Sequence, residues 1–276
     1  ADYKGIFWWE WAHRLFAQSI GIVFLLPFIC VLARRQIPRR LAPYLFGLFA
    51  LGGLQGLMGW LMVASGLVDR PSVSHYRLAV HLSLDVTIYA LTLWTAFYVF
   101  RPRAAPLAPA AIGVSLRRQA IAGIALLGIT MIWGAFTAGL RAGLVYNTFP
   151  LMGGQWAPPD FFALSPWWSN FTENHGAVQF VHRLLAIMTG LFLIGLALGL
   201  RQKSIGLELR RTGTMVFFVV LLQIGLGIAT LVNMVPVWLG ALHQANAIFL
   251  MGVLVRVLFL LRPAPQPQFR PRLVAT

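Results

Sequence analysis

The chain has 276 residues, of which 59% are apolar and only 11% are charged. Soluble domains carry about 25% charged residues, so this composition excludes a soluble globular protein. The net charge of +15 would suggest a nucleic-acid partner in a soluble protein, but the mean hydropathy of +0.76 indicates a lipid environment and no nucleic acid. The high net charge must then be explained by where the basic residues lie relative to the membrane.

Seven apolar stretches are long enough to cross the roughly 30 Å hydrocarbon core of a bilayer as helices. Charged residues, proline and glycine separate them. In chain order the predicted spans are 13–33, 41–65, 76–100, 117–140, 179–200, 212–234 and 240–261. The sequence therefore predicts an all-α polytopic membrane protein with seven transmembrane helices in this chain.

Basic residues alternate along the chain with the predicted spans. Fifteen of the 22 Lys and Arg residues lie in the first, third and fifth loops and in the tail, which share one side of the membrane if the helices alternate in direction. The positive-inside rule makes that side cytoplasmic. We therefore expect a bacterial inner-membrane protein, with the N-terminus of this chain outside and its C-terminus in the cytoplasm.

A pattern of residues recurs between the two halves of the chain. The triplet His-Arg-Leu opens the first span at 13–15 and the fifth at 182–184. A glutamine followed four residues later by glycine occurs at 55–59 and again at 223–227. Equivalent helices then run in the same direction, which predicts two parallel repeats about an axis along the membrane normal.

The second half has four predicted helices and the first half has three. We therefore expect a helix before Ala1, in agreement with the missing initiator methionine, to complete an eight-helix protein. The predicted domains are an N-terminal half-bundle at 1–100 that lacks its first helix, a C-terminal four-helix half-bundle at 101–261 and a cytoplasmic tail at 262–276.

Four histidines lie near the outer ends of their helices, at His13, His81, His182 and His243. A single histidine at such a place usually makes an interhelical hydrogen bond. Four at one depth favour two pairs of imidazoles, each pair from two helices of one half, as in bis-imidazole ligation of haem iron. A zinc site is disfavoured because the close His, Cys and Asp spacings typical of zinc are missing.

Two acidic residues accompany the N-terminal histidine pair. Glu10 precedes His13 by three residues, so both positions share one face of a helix. We interpret Glu10 either as a hydrated boundary residue or as a carboxylate that takes a proton or stabilises positive charge at a haem edge. Asp85 follows His81 by four residues and is expected to hold the His81 imidazole N–H or else to pair with another helix.

The other candidate residues lie in or next to the outer loops. His75 and His175 are predicted to be surface residues. Arg70, Arg77 and Arg141 are basic residues on the side that should have few of them. They are candidates for ion pairs with haem propionates.

Five segments of the sequence form longer motifs in a fixed order. They are IFWWEWAHR (6–14), VSHYRLAVHL (73–82), GLVYNTFPLMGG (143–154), QFVHR (179–183) and LHQ (242–244). With these motifs nearly the whole chain resembles the haem A synthase family of cytochrome oxidase assembly. The resemblance is closest to the alphaproteobacterial and mitochondrial branch, whose outer loops lack the cysteine pairs of other bacterial members; this chain has only Cys30.

The resemblance implies eight helices in two halves, a haem b cofactor, haem O as substrate and haem A as product. It implies that His182 and His243 ligate the iron of haem b, and that His13 and His81 flank the iron of the substrate haem. Glu10 matches the essential carboxylate of the family and is the catalytic candidate. The implied reaction oxidises a ring methyl of haem O through an alcohol to a formyl group, with oxygen from water.

The resemblance also implies partners and a departure from the family pattern. Haem O synthase and cytochrome oxidase assembly factors are the expected partners, besides membrane lipid, and homo-oligomerisation is left open. The family's first helix, with its Gly-rich and Thr-Arg-Leu segment, is absent from this sequence. Part of the substrate pocket is therefore expected to lie outside this chain.

Two other functions would use the same residues. A dihaem b-type electron-transfer cytochrome linked to quinol needs the four histidines but no reactive carboxylate, so Glu10 argues against it. A proton-coupled transporter would use Asp85 and the histidines as a proton relay. Extracted pigment separates the three: haem O and haem A indicate the synthase, haem b alone the cytochrome, and a colourless protein the transporter.

Overall fold

A computed structural model describes residues 2–39, 41–66, 74–100 and 107–263, without the side chains of 2–7, 9, 10 and 63–66. Its α-helices in chain order are α1 (Asp2–Ala33), α2 (Ala42–Gly66), α3 (His75–Phe100), α4 (Ala110–Gly139), α5 (Asn170–Glu173), α6 (His175–Leu200), α7 (Leu207–Val232) and α8 (Val237–Leu260). Single turns of 3₁₀ helix lie at Ala142–Leu144 and Trp167–Ser169. The described ranges contain no strand, only an isolated bridge between Met152 and Gln155.

All helices except the four-residue α5 are long and apolar enough to cross a membrane, which makes seven in the described residues. Large apolar side chains such as Leu191, Phe218 and Phe249 are exposed along their outer faces, as lipid contact requires. The prediction of an all-α polytopic membrane protein is confirmed. The predicted ends differ most for α1, which begins at Asp2, eleven residues before the predicted start at His13. α4 begins seven residues before Arg117, because long arginine side chains can reach the interface from within the helix.

Four helices form a closed bundle. α4 packs against α6, α6 against α7, α7 against α8, and α8 returns to α4, so α6 and α8 stand at opposite corners. Buried leucines and valines fill the interior, including Leu196, Val216 and Leu254. The hydroxyls of Thr130 on α4 and Thr189 on α6 are 2.8 Å apart and join these two helices deep in the bundle.

Three further helices lie beside this bundle. α2 packs between α1 and α3, and α3 also packs against α4 and α8. Glycines allow α3 to approach closely: Gly139 of α4 faces His75, and Gly252 of α8 faces Tyr89. α3 therefore joins the first helices to the four-helix bundle, whereas the relation of the two halves as parallel repeats stays a prediction.

The segment that connects α4 to α6 lies at one end of the bundle, called the loop end below. α3, α6 and α8 begin at this end, and α2, α4 and α7 finish there. Asn174 caps α6, since its side chain accepts a hydrogen bond from the amide of Ala177 at 3.1 Å. Asn170 fixes the preceding turn through hydrogen bonds with both backbone groups of Leu164. The loop end is thus a hydrogen-bonded surface rather than a loose connection.

Candidate haem-binding site

The histidines predicted as ligands lie at a similar depth below the loop end. His81, His182 and His243 come six or seven residues after the first residue of α3, α6 and α8. At 1.5 Å per residue this places each of them roughly 9–10 Å along its helix. His13 lies in the corresponding half of α1, where its side chain is exposed.

The structure brings the C-terminal pair together. His182 on α6 and His243 on α8 stand on opposite corners of the four-helix bundle. The two imidazoles lie within electrostatic range of one another, so both face the interior. This arrangement suits two axial ligands that approach one iron from opposite sides.

Three of the four imidazoles each lie against a glycine of a neighbouring helix. A Cβ atom at Gly227 would stand 2.9 Å from Cε1 of His243, and one at Gly134 would stand 3.1 Å from Cε1 of His182. At Gly59 the corresponding distance to His81 is 3.5 Å. In each case the ring edge lies against backbone, which fixes the position of the histidine without a bulky neighbour.

Glutamines contact two of the histidines. The amide nitrogen of Gln223 lies 3.2 Å from Nδ1 and 3.3 Å from Nε2 of His243. Asn246 in turn donates to Oε1 of Gln223 at 2.7 Å. In the sequence, Gln55 and Gln223 were recognised only as part of the repeat. Each lies four residues before a glycine that contacts a histidine ring, and this spacing could have assigned both glutamines to the site.

The N-terminal pair contains a comparable contact. The Gln55 amide lies 3.3 Å from Nε2 of His81 and donates to the His81 carbonyl at 3.2 Å. Asp85 interacts with the Gln55 side chain and lies within electrostatic range of both His81 and His13. Asp85 is therefore a residue that lies within electrostatic range of both histidines of the N-terminal pair.

The expected hydrogen bond from His81 to Asp85 is wrong. Nδ1 of His81 is buried and has no hydrogen-bond partner among the described residues, and Nε2 faces Gln55 instead. Asp85 interacts instead with Gln55 on α2, and pairing with another helix was the other option that the sequence left open. The side chain of Glu10 lies outside the described residues; its backbone belongs to α1, three positions before His13.

The prediction that His75 is a surface residue is also wrong. Its side chain is only 9% exposed, because α3 begins at His75 and packs there against Gly139 of α4. Its Nε2 lies 3.6 Å from Oε1 of Glu173, to which the Tyr76 hydroxyl also donates, at 2.6 Å. His175, at the start of α6, is exposed as predicted.

The arginines predicted as propionate partners occupy different surroundings. Arg77 donates to the backbone carbonyl of Leu61 on α2 at 3.1 Å. Arg141 is exposed and adopts a left-handed backbone conformation, with φ of 53°, just after α4. Arg70 lies outside the described residues. Arg183, which follows His182, was not predicted as a propionate partner; it is less exposed than Arg141, and its Nε is buried.

Buried polar atoms that lack partners collect around the histidines. Within the described chain seven side-chain nitrogen or oxygen atoms are buried without a hydrogen bond. Five of these belong to the two sites, namely Oε1 of Gln55, Nδ1 of His81, Oε1 of Gln179, Nδ1 of His182 and Nε of Arg183. The backbone of Thr130 also lies close to the His182 ring. Such groups normally find partners, so their concentration here indicates a polar ligand.

The donor set fits a haem better than a bare metal ion. Among the described residues no three His, Cys, Asp or Glu side chains lie close enough to hold a metal ion. Two imidazoles supply only the axial positions, so the remaining ligands must come from a macrocycle. The glycine-backed pair His182 and His243 meets that requirement.

The fold and the site define an all-helical multi-pass membrane protein with paired histidines at one end of its bundle. The sequence model of the COX15-CtaA family, described as cytochrome oxidase assembly protein, matches residues 1–255. The chain belongs to this family, as its motifs predicted.

Relatives of the chain carry a common name. The protein named "Heme A synthase" of Rhodospirillum centenum is 49% identical over 97% of this chain and 71% of its own length. The one of Mesorhizobium japonicum is 46% identical over 91% of this chain and 68% of its own length. The one of Nitrosospira multiformis is 43% identical over 90% of this chain and 70% of its own length. The predicted likeness to alphaproteobacterial members is confirmed.

Proposed function

We propose that this protein is a haem A synthase, which oxidises one ring methyl of haem O to the formyl group of haem A. The observation that carries this proposal is the placement of two histidine pairs at the loop end of a bundle belonging to this family. The names of relatives up to 49% identical support it. The enzyme is then an oxidoreductase acting on a C–H group.

The overall chemistry is a four-electron oxidation. The methyl group and one water molecule become a formyl group, four protons and four electrons. It proceeds in two steps of two electrons each, through a hydroxymethyl group, and water supplies the oxygen. The protein must therefore position the methyl, accept protons and pass electrons onward.

The two halves divide this work. In the N-terminal half-bundle (1–100), His13 and His81 hold the substrate haem, and Glu10, on the same face of α1 as His13, accepts protons from the methyl carbon. Asp85 lies near both histidines and would hold the Gln55 side chain beside His81.

In the C-terminal half-bundle (101–261), His182 and His243 would hold haem b, which when bound supplies a one-electron acceptor. Gly134 and Gly227 fix the positions of the two rings, and Gln223 orients the ring of His243. These residues hold the ligands in place while electrons pass, so little reorganisation is needed.

The surroundings of the protein follow from the same proposal. It would lie in the bacterial inner membrane with the loop end outside and the arginine-rich ends of its helices in the cytoplasm. Haem O synthase would supply the substrate, and cytochrome oxidase assembly factors would take the product.

The test is the haem content of the full-length protein produced together with haem O synthase. Wild-type protein should yield haem b, haem O and haem A on extraction. Glu10→Ala and Glu10→Gln should retain haem b and haem O but form no haem A. Asp2→Asn, which removes an acid two turns earlier on α1, is the matched control and should leave haem A at the wild-type level.

Each other result points to a different conclusion. Normal haem A from Glu10→Ala would overturn the role of Glu10. Haem b as the only pigment of wild-type protein would favour an electron-transfer cytochrome. A colourless protein would exclude both and leave a transporter.

A further inference from the structure

One turn of α6 carries an unusual set of buried polar groups next to His182. Gln179 is only 2% exposed, and its Oε1 has no hydrogen-bond partner among the described residues. Nε of Arg183 is also buried and has none there. Arg183 follows His182 on α6, and its charge lies within electrostatic range of the His182 ring.

The rest of the Arg183 guanidinium is fixed in place by the backbone. Its Nη2 donates to the carbonyl of Tyr146 at 2.8 Å, and its Nη1 donates to the carbonyl of Thr148 at 2.9 Å. The Gln179 amide donates to the same Tyr146 carbonyl at 3.0 Å. The short segment 146–148, called the strap below, is therefore hydrogen-bonded to α6 at Gln179 and at Arg183, the residue after His182.

The strap is anchored on its other side as well. The Asn147 amide donates to the carbonyls of Gly143 and of Leu231, each at 2.9 Å, and Leu231 lies near the end of α7. The strap thus joins α6 to α7 across the loop end. Its position holds Arg183 in one orientation, in which Nε is the guanidinium nitrogen that has no acceptor among the described residues.

A carboxylate is the acceptor that suits this N–H. The two Nη atoms already bond to neutral carbonyls, so the positive charge of Arg183 has no counter-charge from them. A half-buried cation without an anion is costly, whereas a charge-assisted hydrogen bond to a carboxylate offsets that cost. A haem carries two propionates, which are carboxylates of the kind to which this N–H would donate.

We propose that Arg183 binds a propionate of the haem held by His182, through Nε, while its Nη atoms hold the strap. This inference rests on the proposed function. It favours Arg183 over Arg141, which is exposed, whereas Arg77 lies on α3 in the other half of the chain. Gln179 supports the site from the adjacent turn, where it holds the strap carbonyl that Arg183 also uses.

The experiment compares haem with its dimethyl ester, in which both propionates are neutral. Full-length protein is freed of haem and titrated with each compound, and binding is followed by the absorbance of the bis-histidine complex. Wild-type protein should prefer haem over the ester by about tenfold or more, the ratio expected for a charge-assisted hydrogen bond. Arg183→Gln should bind haem more weakly and lose most of this preference.

A second measurement is independent of affinity. A positive charge beside the iron disfavours the ferric state, so Arg183→Gln should lower the midpoint potential of the bound haem. Arg141→Gln is the matched control, because it removes the same charge from an exposed position at the loop end. It should keep both the preference for haem and the wild-type potential.

The outcomes separate the two proposals. An equal preference for haem in wild-type protein and Arg183→Gln, with an unchanged potential, overturns this inference and leaves the proposed function standing. Wild-type protein that binds no haem overturns both. If Arg183→Gln does not elute from size-exclusion chromatography as wild-type protein does, Arg183→Met replaces it. Methionine keeps an unbranched side chain without the charge, so an undiminished preference for haem in that variant overturns the inference.

Discussion

The imidazole of His243 lies directly against the backbone of Gly227. A Cβ atom at position 227 would stand 2.9 Å from Cε1 and 3.4 Å from Nδ1 of that ring. The same helix offers a comparison, since a Cβ at Gly225 would meet no heavy atom of the described residues within 4 Å. The contact with the ring can therefore be separated from the general effect of replacing glycine in a helix.

Gly227→Ala should displace the His243 ring and weaken haem binding. Overpacking typically costs about 1–3 kcal/mol, or about fivefold to 150-fold in affinity. Alanine also favours the helix by about 1 kcal/mol, so a loss cannot come from a weaker α7. Haem per protein, measured as the reduced pyridine complex, should fall in Gly227→Ala and stay at the wild-type level in Gly225→Ala. Full haem content with an unchanged spectrum in Gly227→Ala would remove His243 from the ligands.

Gln223 and Asn246 should act as one unit behind His243. Gln223 contacts the ring, and Asn246 holds the side-chain oxygen of Gln223 at 2.7 Å. Gln223→Ala should reduce haem affinity by about tenfold to 100-fold, as loss of a partner behind a metal ligand commonly does. Asn246→Ala should cost less, and it should cost nothing further in the Gln223→Ala background. Additive losses in a haem titration of the four proteins would contradict this chain of contacts.

The helices were predictable because their apolar length exceeds what any buried soluble helix needs. The ends were less so: Arg117 and Arg118 look like a boundary in the sequence, yet α4 extends past them from Ala110. Arginine side chains can lie inside a helix and still reach water, so a basic pair marks the membrane surface and not the helix start.

The site was predictable where its chemistry needs a particular residue type. Histidine carries its ligand chemistry in the side chain, so His182 and His243 could be proposed as ligands from the sequence alone. Gly227 and Gly134 act through the space they leave, which depends on the partner helix. His75 was misplaced for the same reason, since only the packing of α3 against Gly139 buries it.

Asp160 should control the ionisation of Tyr146 at the loop end. The Tyr146 hydroxyl donates to Oδ1 of Asp160 at 3.4 Å, and burial together with this carboxylate raises the pKa of Tyr146 above its usual 10.0. Because the folded pKa exceeds the unfolded one, the stability from the neutral phenol is fully present below pH 10 and is lost as pH rises through the folded pKa.

An alkaline titration of phenolate absorbance tests this relationship. The Tyr146 contribution is identified as the difference between wild-type protein and Tyr146→Phe. Asp160→Asn should move that contribution to lower pH, while the Asp160 carbonyl still accepts from Asn174 and keeps the loop in place. An unmoved midpoint in Asp160→Asn would show that the carboxylate has no effect on Tyr146.

The contact of Gly252 with Tyr89 should set the stability of the joint between α3 and α8. The Tyr89 hydroxyl lies where a Cβ at Gly252 would stand, and Cδ1 of Leu93 is 3.1 Å from the same point. Gly252→Ala must therefore push α3 away from the four-helix bundle, at about 1–3 kcal/mol of unfolding free energy. Gly240→Ala is the control, since its Cβ meets no heavy atom of the described residues within 4 Å.

Removal of the hydroxyl should reverse most of that loss. Tyr89→Phe deletes the atom that meets the new Cβ, so the double variant Gly252→Ala, Tyr89→Phe should be more stable than Gly252→Ala alone, in strong departure from additivity. Thermal unfolding in detergent measures all four proteins. Additive effects of the two substitutions would mean that the Tyr89 hydroxyl does not contact Gly252. The packing of α3 against α8 described above would then be wrong.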